Sequence, residues 1–291
     1  MDAVVFVPPD ADETLEEARA RNVRDALRED VGTGDRTALL VPPGPATAIV
    51  RVREKAVLCG RDWFEACFRA LDPAVRIAWR YAEGSDMAAD TTVCEVRGDA
   101  RALLTAERSA LNFLQLLSGT ATVTRRHVRA IEGASPNPGG CAVLDTRKTI
   151  PGLRQAQKHA VRVGGGSNQR IALWDGILVK ENHVAAAGGV AAALGAAAAL
   201  HAGVPIQVEV ERLDQLREAL AAGATSVLLD NFTVEAMREA VTLTAGRALL
   251  EVSGGVELEE LAAIAATGVD RISIGGLTKH VRAVDFSMRF V

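Results

Sequence analysis

Six short runs of β-branched and aliphatic residues, each ending on a polar residue or glycine, constrain the second half of this chain more than any other feature. They are AVLD (to Asp145), GILVK (to Lys180), IQVEVE (to Glu211), SVLLD (to Asp230), LLEVSGG (to Gly255) and RISIGG (to Gly276). Stretches rich in Ala, Leu and Glu follow them, and the last four runs recur about every 22 residues, the length of one compact βα unit. Strands alternating with helices form a parallel sheet, and strands covered on both faces read as near-continuous apolar runs. No G-x-G-x-x-G follows an early strand and no G-x-x-x-x-G-K-[ST] occurs. That weighs against the nucleotide-binding open sheets and favours closure into a barrel.

The first half has another rhythm. Thr14 and Glu17 stand at capping-box spacing ahead of a rough apolar stripe, Ala18, Val23, Ala26 and Leu27, which ends in the glycine-rich turn cluster EDVGTGDRT. Residues 46–96 mix β-branched runs (AIVRVR, VRIAWRY, TTVCEVRG) with one helix-like stretch, WFEACFRAL, as in an α+β domain with an antiparallel sheet. From Ala102 a long helix begins. Leu103, Ala106, Ala110, Phe113, Leu114 and Leu117 repeat at helical spacing and leave Glu107, Arg108 and Asn112 off the stripe.

A chain of 291 residues with 48% apolar and 24% charged side chains is long enough and apolar enough to fold around a large core. Its net charge of −4 argues against a nucleic-acid-binding surface, although a cleft inside an acidic protein can still be cationic. Cys59, Cys67, Cys94 and Cys141 lie far apart with no C-x-x-C pair, so reduced, mostly buried thiols are expected rather than disulfides or a zinc site. The opening residues turn acidic at once and lack the basic and apolar regions of a secretory signal. Residues 184–208 carry no Asp, Glu, Lys or Arg, but they are mostly Ala and Gly. They read as a soluble helix packed on a sheet, with Pro205 opening the next strand. A cytoplasmic protein without a membrane partner is the expectation.

Parallel α/β folds bind ligands at the carboxyl ends of their strands. Those ends carry Asp145, Arg147 and Lys148; Lys180; Glu209 and Glu211; Asp230; Ser253-Gly254-Gly255; and Gly275-Gly276. The two glycine pairs suit either a phosphate cradle or tight turns that need positive φ. Glu209 and Asp230, on successive strands, suit Mg²⁺ beside phosphates, a general acid–base pair or a helix cap. Arg154, Lys158 and Arg162 add to the cations, and VGGGSNQR is a loop that could fold Arg170 among them. Cations gathered this way call for a strongly anionic small substrate, with Arg forks for carboxylates and Lys for phosphates.

The ordered blocks EDVGTGDRT, ERSALNFLQLLSGTAT, LDTRKTIPGLR, HAVRVGGGSNQR, DGILVKENHV, VEVE, LLDNF, EVSGG and DRISIGGLTKHVRAVDFS cover nearly the whole chain. In them the sequence resembles the quinolinate phosphoribosyltransferases. The resemblance implies an N-terminal α/β sandwich (1–115, joined by the tail 280–291) and a C-terminal six-stranded α/β barrel (116–279). It also implies a homodimer whose active sites are shared between subunits, with quinolinate and phosphoribosyl pyrophosphate as substrates and Mg²⁺ as cofactor. Arg147, Arg170 and Lys180 would hold the quinolinate carboxylates, Lys148 would stand between the substrates, and Arg108 would reach in from the partner. Glu209 and Asp230 would take the ribose hydroxyls and Mg²⁺, and Ser253, Gly254, Gly255, Gly275 and Gly276 the 5′-phosphate. Lys148, Glu209 and Asp230 are the catalytic candidates. One position departs from the pattern: many members carry His before the Arg of the glycine loop, and here it is Gln169, which can position a substrate but carries no charge. The rival readings are a related transferase for another anionic ring, a Schiff-base lyase using Lys180, and a non-catalytic anion-binding protein.

Overall fold

The computed structural model describes residues 13–291; the opening residues read above as lacking a signal lie largely outside the described part. Helix α1 (Leu15–Val31) is followed by strands β1 (Pro45–Val52) and β2 (Ala56–Val57), helix α2 (Arg61–Leu71), strands β3 (Arg76–Trp79), β4 (Asp86–Met87) and β5 (Thr91–Asp99), and the long helix α3 (Ala100–Ala130). Next come β6 (Ala142–Leu144), α4 (Arg154–Val163), β7 (Ile177–Val179), α5 (Glu181–Ala187), α6 (Val190–Ala199), β8 (Ile206–Val210) and α7 (Leu213–Ala221). The chain ends with β9 (Ser226–Asp230), α8 (Val234–Thr244), β10 (Leu249–Ser253), α9 (Leu261–Ala265), β11 (Arg271–Ser273), α10 (Gly276–Lys279) and β12 (Phe286–Phe290).

These elements form two units. The first takes the chain up to Gly119 together with Pro151–Ala160 and Arg282–Val291; the second takes Thr120–Ile150 and Val161–Val281. The sequence places the boundaries at 115/116 and 279/280, and the excursion of 151–160 is an addition to that division. Hydrogen bonds tie that excursion down: Arg21 and Asn22 of α1 donate to the Gly152 carbonyl at 3.2 and 3.0 Å, and Gln155 donates to the Glu13 carbonyl at 2.9 Å.

In the first unit an antiparallel sheet runs β12-β1-β5-β3, with Val50 opposite Met288 on one side and Cys94 on the other. Alternate residues of β1, Ala48, Val50 and Val52, are buried, and Trp63, Phe64, Cys67 and Phe68 are buried at helical spacing on α2. The Phe64 ring meets Trp79 of β3 edge-on at 5.3 Å. The expected capping box starts α1: Thr14 Oγ1 accepts the Glu17 N–H at 3.2 Å, and Glu17 accepts the Thr14 N–H at 2.8 Å. The EDVGTGDRT cluster is a turn built on Asp35. Its carboxylate accepts the Thr37 and Ala38 N–H groups and the Thr105 hydroxyl, which holds it below the usual carboxylate range. On α3 the predicted stripe is buried while Arg108 and Asn112 are exposed.

The second unit is a parallel sheet in the order β6-β11-β10-β9-β8-β7, with α-helices between successive strands. β6 (AVL), β7 (ILV) and the Val227–Leu229 run of β9 are apolar as expected, whereas β8 and β10 alternate. Val208 and Val210, Val227 and Leu229, Leu250 and Val252 join Leu216, Ala219, Met237, Ala240 and Ile264 of the helices in one core. The opposite face carries Gln207, Glu209, Asp230, Glu251 and Ser253. This polarity is what a strand ring with a working interior requires, and period-2 alternation delivers it. The seam between β6 and β7 is filled by the glycine loop: Ser167 donates to Val143 at 2.8 Å and accepts from Asp145 at 3.2 Å. On the far side Arg170 donates to the Gly176 carbonyl just before β7, at 2.7 Å.

Residues 184–208 form two helices instead of one. α5 and α6 bend by 92° at Gly188-Gly189, where φ reaches +87° and +147°. Glycine alone adopts the second of these readily. Val190, Ala193, Leu194 and Ala197 of α6 join the core, and Pro205 precedes β8 as expected. Among the described residues no single helix is long and apolar enough to cross a membrane; only this bent pair passes by length and composition.

Candidate active site

The carboxyl ends of the six strands gather most of the candidates at one rim of the second unit. From the β6 end, Asp145 is fully buried, while Arg147 and the exposed Lys148 follow in the loop. Asp145 is a scaffold rather than a ligand: it accepts the Gln169 N–H at 2.9 Å and the Asn168 amide at 2.6 Å, which fixes the glycine loop against β6. Arg170 thereby stands near Arg147. Burial and then the Arg147 charge lower the Arg170 pKa, as expected where two cations stand close together.

At the β7 end Lys180 donates to Glu209 of β8 at 3.1 Å. Burial raises the Glu209 carboxyl; the Lys180 hydrogen bond opposes this, and Glu181 and Asp230 add to it, for a net rise. Glu181 shares a hydrogen bond with Glu209, so the acidic group has three members, of which the sequence reading took two. The signal for Glu181 was its place beside Lys180, but strand-end reading stops one residue short. His183 serves α5 locally, accepting the Lys180 N–H at 3.0 Å.

Asp230 closes the acidic side. Ser253 donates to its Oδ1 at 2.9 Å and Asn231 to its Oδ2 at 2.9 Å, while the Asn231 N–H reaches the Ser253 carbonyl at 3.1 Å. Gly254, at φ +99°, lies so close to Asn231 that an added Cβ would sit 2.2 Å from its Oδ1. Gly254 and Gly255 (φ +46°) thus answer the turn reading, since both have positive φ. Gly275 does not: its φ is −66°. An added Cβ there would lie 2.9 Å from Lys148 Cδ, so the missing side chain makes room for the lysine. Gly276 opens α10 beside it.

Three expectations change in detail. Lys158 is fully buried on the 151–160 piece of the first unit, and Arg162 bonds Asn168. Gly164 and Gly166 of the glycine loop are packing residues: an added Cβ would meet Ala121 O at 2.6 Å and Thr124 Cγ2 at 2.8 Å respectively. Glu211 is exposed and its N–H is taken by Gln215 at the start of α7.

Comparison with known proteins places this arrangement. Residues 120–289 match the quinolinate phosphoribosyl transferase C-terminal domain, and residues 33–118 match the N-terminal domain of the same family. The chain belongs to the quinolinate phosphoribosyltransferase family. It is 41% identical over 283 residues to the nicotinate-nucleotide pyrophosphorylase [carboxylating] of Mycobacterium leprae, covering 94% of this chain and 97% of that one. To a probable enzyme of the same name from Bacillus subtilis it is 40% identical over 262 residues, 89% of each chain. The solved nicotinate-nucleotide pyrophosphorylase of Francisella tularensis superposes with a TM-score of 0.90 at 43% identity, covering 98% of this chain and all of that one.

Gln169 is the position at which the sequence departs from the pattern its resemblance implies. Its Nε2 donates to Gln207 Oε1 at 2.9 Å and lies 3.4 Å from Glu251 Oε1, while Gln207 donates to Glu251 Oε2 at 3.0 Å. Its Oε1 accepts the Arg170 N–H at 2.6 Å. Glutamine therefore joins the inner face of β8 and β10 to the backbone of Arg170, a positioning role that needs no charge. Glu251 is buried, and two amide donors offset its desolvation. The sequence reading left Gln207 and Glu251 unassigned because both lie inside apolar-looking runs.

Proposed function

We propose that this chain transfers the phosphoribosyl group of phosphoribosyl pyrophosphate to the ring nitrogen of quinolinate, yielding nicotinate mononucleotide, CO₂ and pyrophosphate in NAD biosynthesis. The observation that carries the reading is a rim where Arg147, Lys148, Arg170 and Lys180 stand at the ends of three segments, facing the acidic group of Glu209 and Asp230. Arg147 and Arg170 suit the two ring carboxylates as forks, with Lys180 as a further cation for the same anion. Lys148, whose side chain passes over Gly275, would meet both substrates. Gly254, Gly255, Gly275 and Gly276 would offer backbone N–H groups to the 5′-phosphate, beside Ser253, whose hydroxyl is donated to Asp230.

Loss of pyrophosphate leaves cationic character at the anomeric carbon, which the Glu209 and Asp230 carboxylates stabilise. Cations at Lys148 and Lys180 offset the departing charge, and holding nitrogen against carbon supplies much of the remaining acceleration. Once the ring nitrogen is quaternised, the carboxylate beside it leaves as CO₂, because the positive nitrogen stabilises the electron pair left on carbon, which then takes a proton from water. Glu209 and Asp230 form a hard oxygen donor set that fits Mg²⁺, directly or through water. Bound there, the ion would supply positive charge to the pyrophosphate. Pyrophosphate release measured with quinolinate and with nicotinate tests the reading. Turnover with quinolinate that stops on Mg²⁺ chelation is expected; release with nicotinate alone would instead favour a transferase for another ring, and binding without release would overturn catalysis.

The same reading makes the protein a homodimer in which Arg108 serves the neighbouring subunit's site, supported by its exposure on the polar side of α3. Mixing Arg108→Ala subunits with Arg147→Ala subunits should restore part of the activity that each alone lacks, because one site in the heterodimer has both arginines. Absence of recovery in verified heterodimers would reject site sharing. Buried, unpaired Cys59, Cys67 and Cys94 support a cytoplasmic setting, which cell fractionation checks.

A further inference from the structure

The first unit holds a second cluster of chemistry-bearing side chains that the transferase reading does not use. Cys59, at the turn into α2, Glu83, between β3 and β4, and His159, on α4, present a sulfur, a carboxylate oxygen and a ring nitrogen that all lie within 4.8 Å of one another. Cys59 is fully buried, whereas Glu83 and His159 keep partial access to solvent, with side-chain exposures of 30% and 22%.

The three groups are held before any ligand arrives. Glu83 Oε1 accepts the Gly60 N–H at 2.8 Å and Oε2 the Arg61 N–H at 3.3 Å, so the first turn of α2 fixes the carboxylate. Burial pushes the Glu83 carboxyl up, but hydrogen bonds from His159, the Gly60 N–H, the Cys59 thiol and the Arg61 N–H outweigh it, keeping the group anionic. The backbone of Cys59 is clamped from both sides by Ser118, whose hydroxyl accepts the Cys59 N–H at 3.0 Å and donates to the Cys59 carbonyl at 3.1 Å. His159 Nε2 stands 3.5 Å from Glu83 Oε1, and its ring packs on Trp63 at 5.4 Å between centroids. Trp63 is anchored in turn by its Nε1 donating to Asn22 at 3.3 Å.

We infer that Cys59, Glu83 and His159 form a transition-metal site, best matched to zinc, with a water in the fourth position. One thiolate, one imidazole and one carboxylate are the donor types of four-coordinate zinc, and the His159 nitrogen and Glu83 oxygen, 3.5 Å apart, stand near the separation that two ligands of one zinc keep. The sulfur and nitrogen donors select against Mg²⁺, which prefers oxygen, so this site is chemically distinct from the one beside the ribose. Binding replaces the thiol proton: Zn²⁺ takes the Cys59 sulfur as thiolate, and one proton is released to solvent. The consequence is a cross-link between three separate segments of the first unit. Sequence spacing could not show it, because the ligands come from positions 59, 83 and 159 rather than from a C-x-x-C pair.

The test uses the full-length protein, reduced, stripped with a chelator and titrated with Co²⁺ alone, in a Cys141→Ser background that removes the partly exposed thiol. One equivalent of Co²⁺ should produce a thiolate-to-cobalt charge-transfer band that Zn²⁺ abolishes and excess Mg²⁺ leaves in place. His159→Gln should weaken Co²⁺ binding by about tenfold or more. Because Cys59→Ser alters a fully buried position, Glu83→Gln serves as the companion variant, with circular dichroism confirming the fold of each. Zn²⁺ should raise the melting temperature of the parent protein and not of His159→Gln. A missing band, a band that survives Cys59→Ser in folded protein, or equal affinity in His159→Gln would overturn the site.

Discussion

Lys148→Ala should lower turnover by about 10²- to 10³-fold, or about 3–4 kcal/mol of transition-state stabilisation, with an unchanged melting temperature. The side chain is exposed and lies over Gly275, so its removal opens no cavity. The backbone around it is fixed independently of the ammonium group: the Lys148 N–H goes to Thr146 Oγ1 at 3.0 Å, and the Lys148 carbonyl accepts from Thr278 at 2.9 Å. Lys148→Arg should recover little, because the gap left by Gly275 admits a methylene chain and a single ammonium better than a planar fork. Steady-state kinetics with quinolinate and phosphoribosyl pyrophosphate measure the loss. Near-normal turnover in Lys148→Ala would remove this lysine from the chemistry.

The largest expected stability effect lies away from the reacting groups. Gly164→Ala should destabilise the protein by about 2–3 kcal/mol, since the new methyl would press on a backbone oxygen and a helix Cβ that have nowhere to go. Both Ala121 O and Thr124 Cβ are 2.6 Å from the position the Cβ would take. Thr124 is itself locked, its hydroxyl donating to the Thr120 carbonyl at 2.8 Å, and Arg125 grips the Gly164 and Val163 carbonyls at 2.9 and 3.0 Å. Gly195→Ala is the control: it sits in α6 with nothing within 4 Å, and alanine should stabilise the helix by up to about 1 kcal/mol. Thermal unfolding of the two variants separates the cases, and equal melting temperatures would refute the packing account. Activity should fall with Gly164→Ala as well, because the same loop carries Gln169 and Arg170.

Much of the rim was legible in the sequence because charge is conspicuous where an apolar strand ends. Asp230, Glu209, Lys180 and the Arg147-Lys148 pair announce themselves in that way. What was not legible depends on partners distant in the chain. Gly275 looks like a turn glycine until its φ of −66° and the approach of Lys148 are seen. Gln207 and Glu251 belong to strands, and their inward direction follows from which residue of each alternating pair meets the helices, a choice that local pattern leaves open. The piece 151–160 reads as part of the barrel segment, whereas bonds from Arg21 and Asn22 of α1 to Gly152, and from Gln155 to Glu13 just before α1, tie it to the first unit. The two-residue strands β2 and β4, at Ala56–Val57 and Asp86–Met87, are too short to carry any periodic signal.

The bonded trio of Gln169, Gln207 and Glu251 has an evolutionary consequence. Three side chains from three places in the sequence share donors and acceptors in a confined volume, so the amino acid tolerated at 169 is set by what stands at 207 and 251. Substitutions there should be strongly epistatic, with double-mutant coupling energies of about 0.5–3 kcal/mol. Replacing Gln169 by histidine should therefore call for compensating changes at 207 and 251.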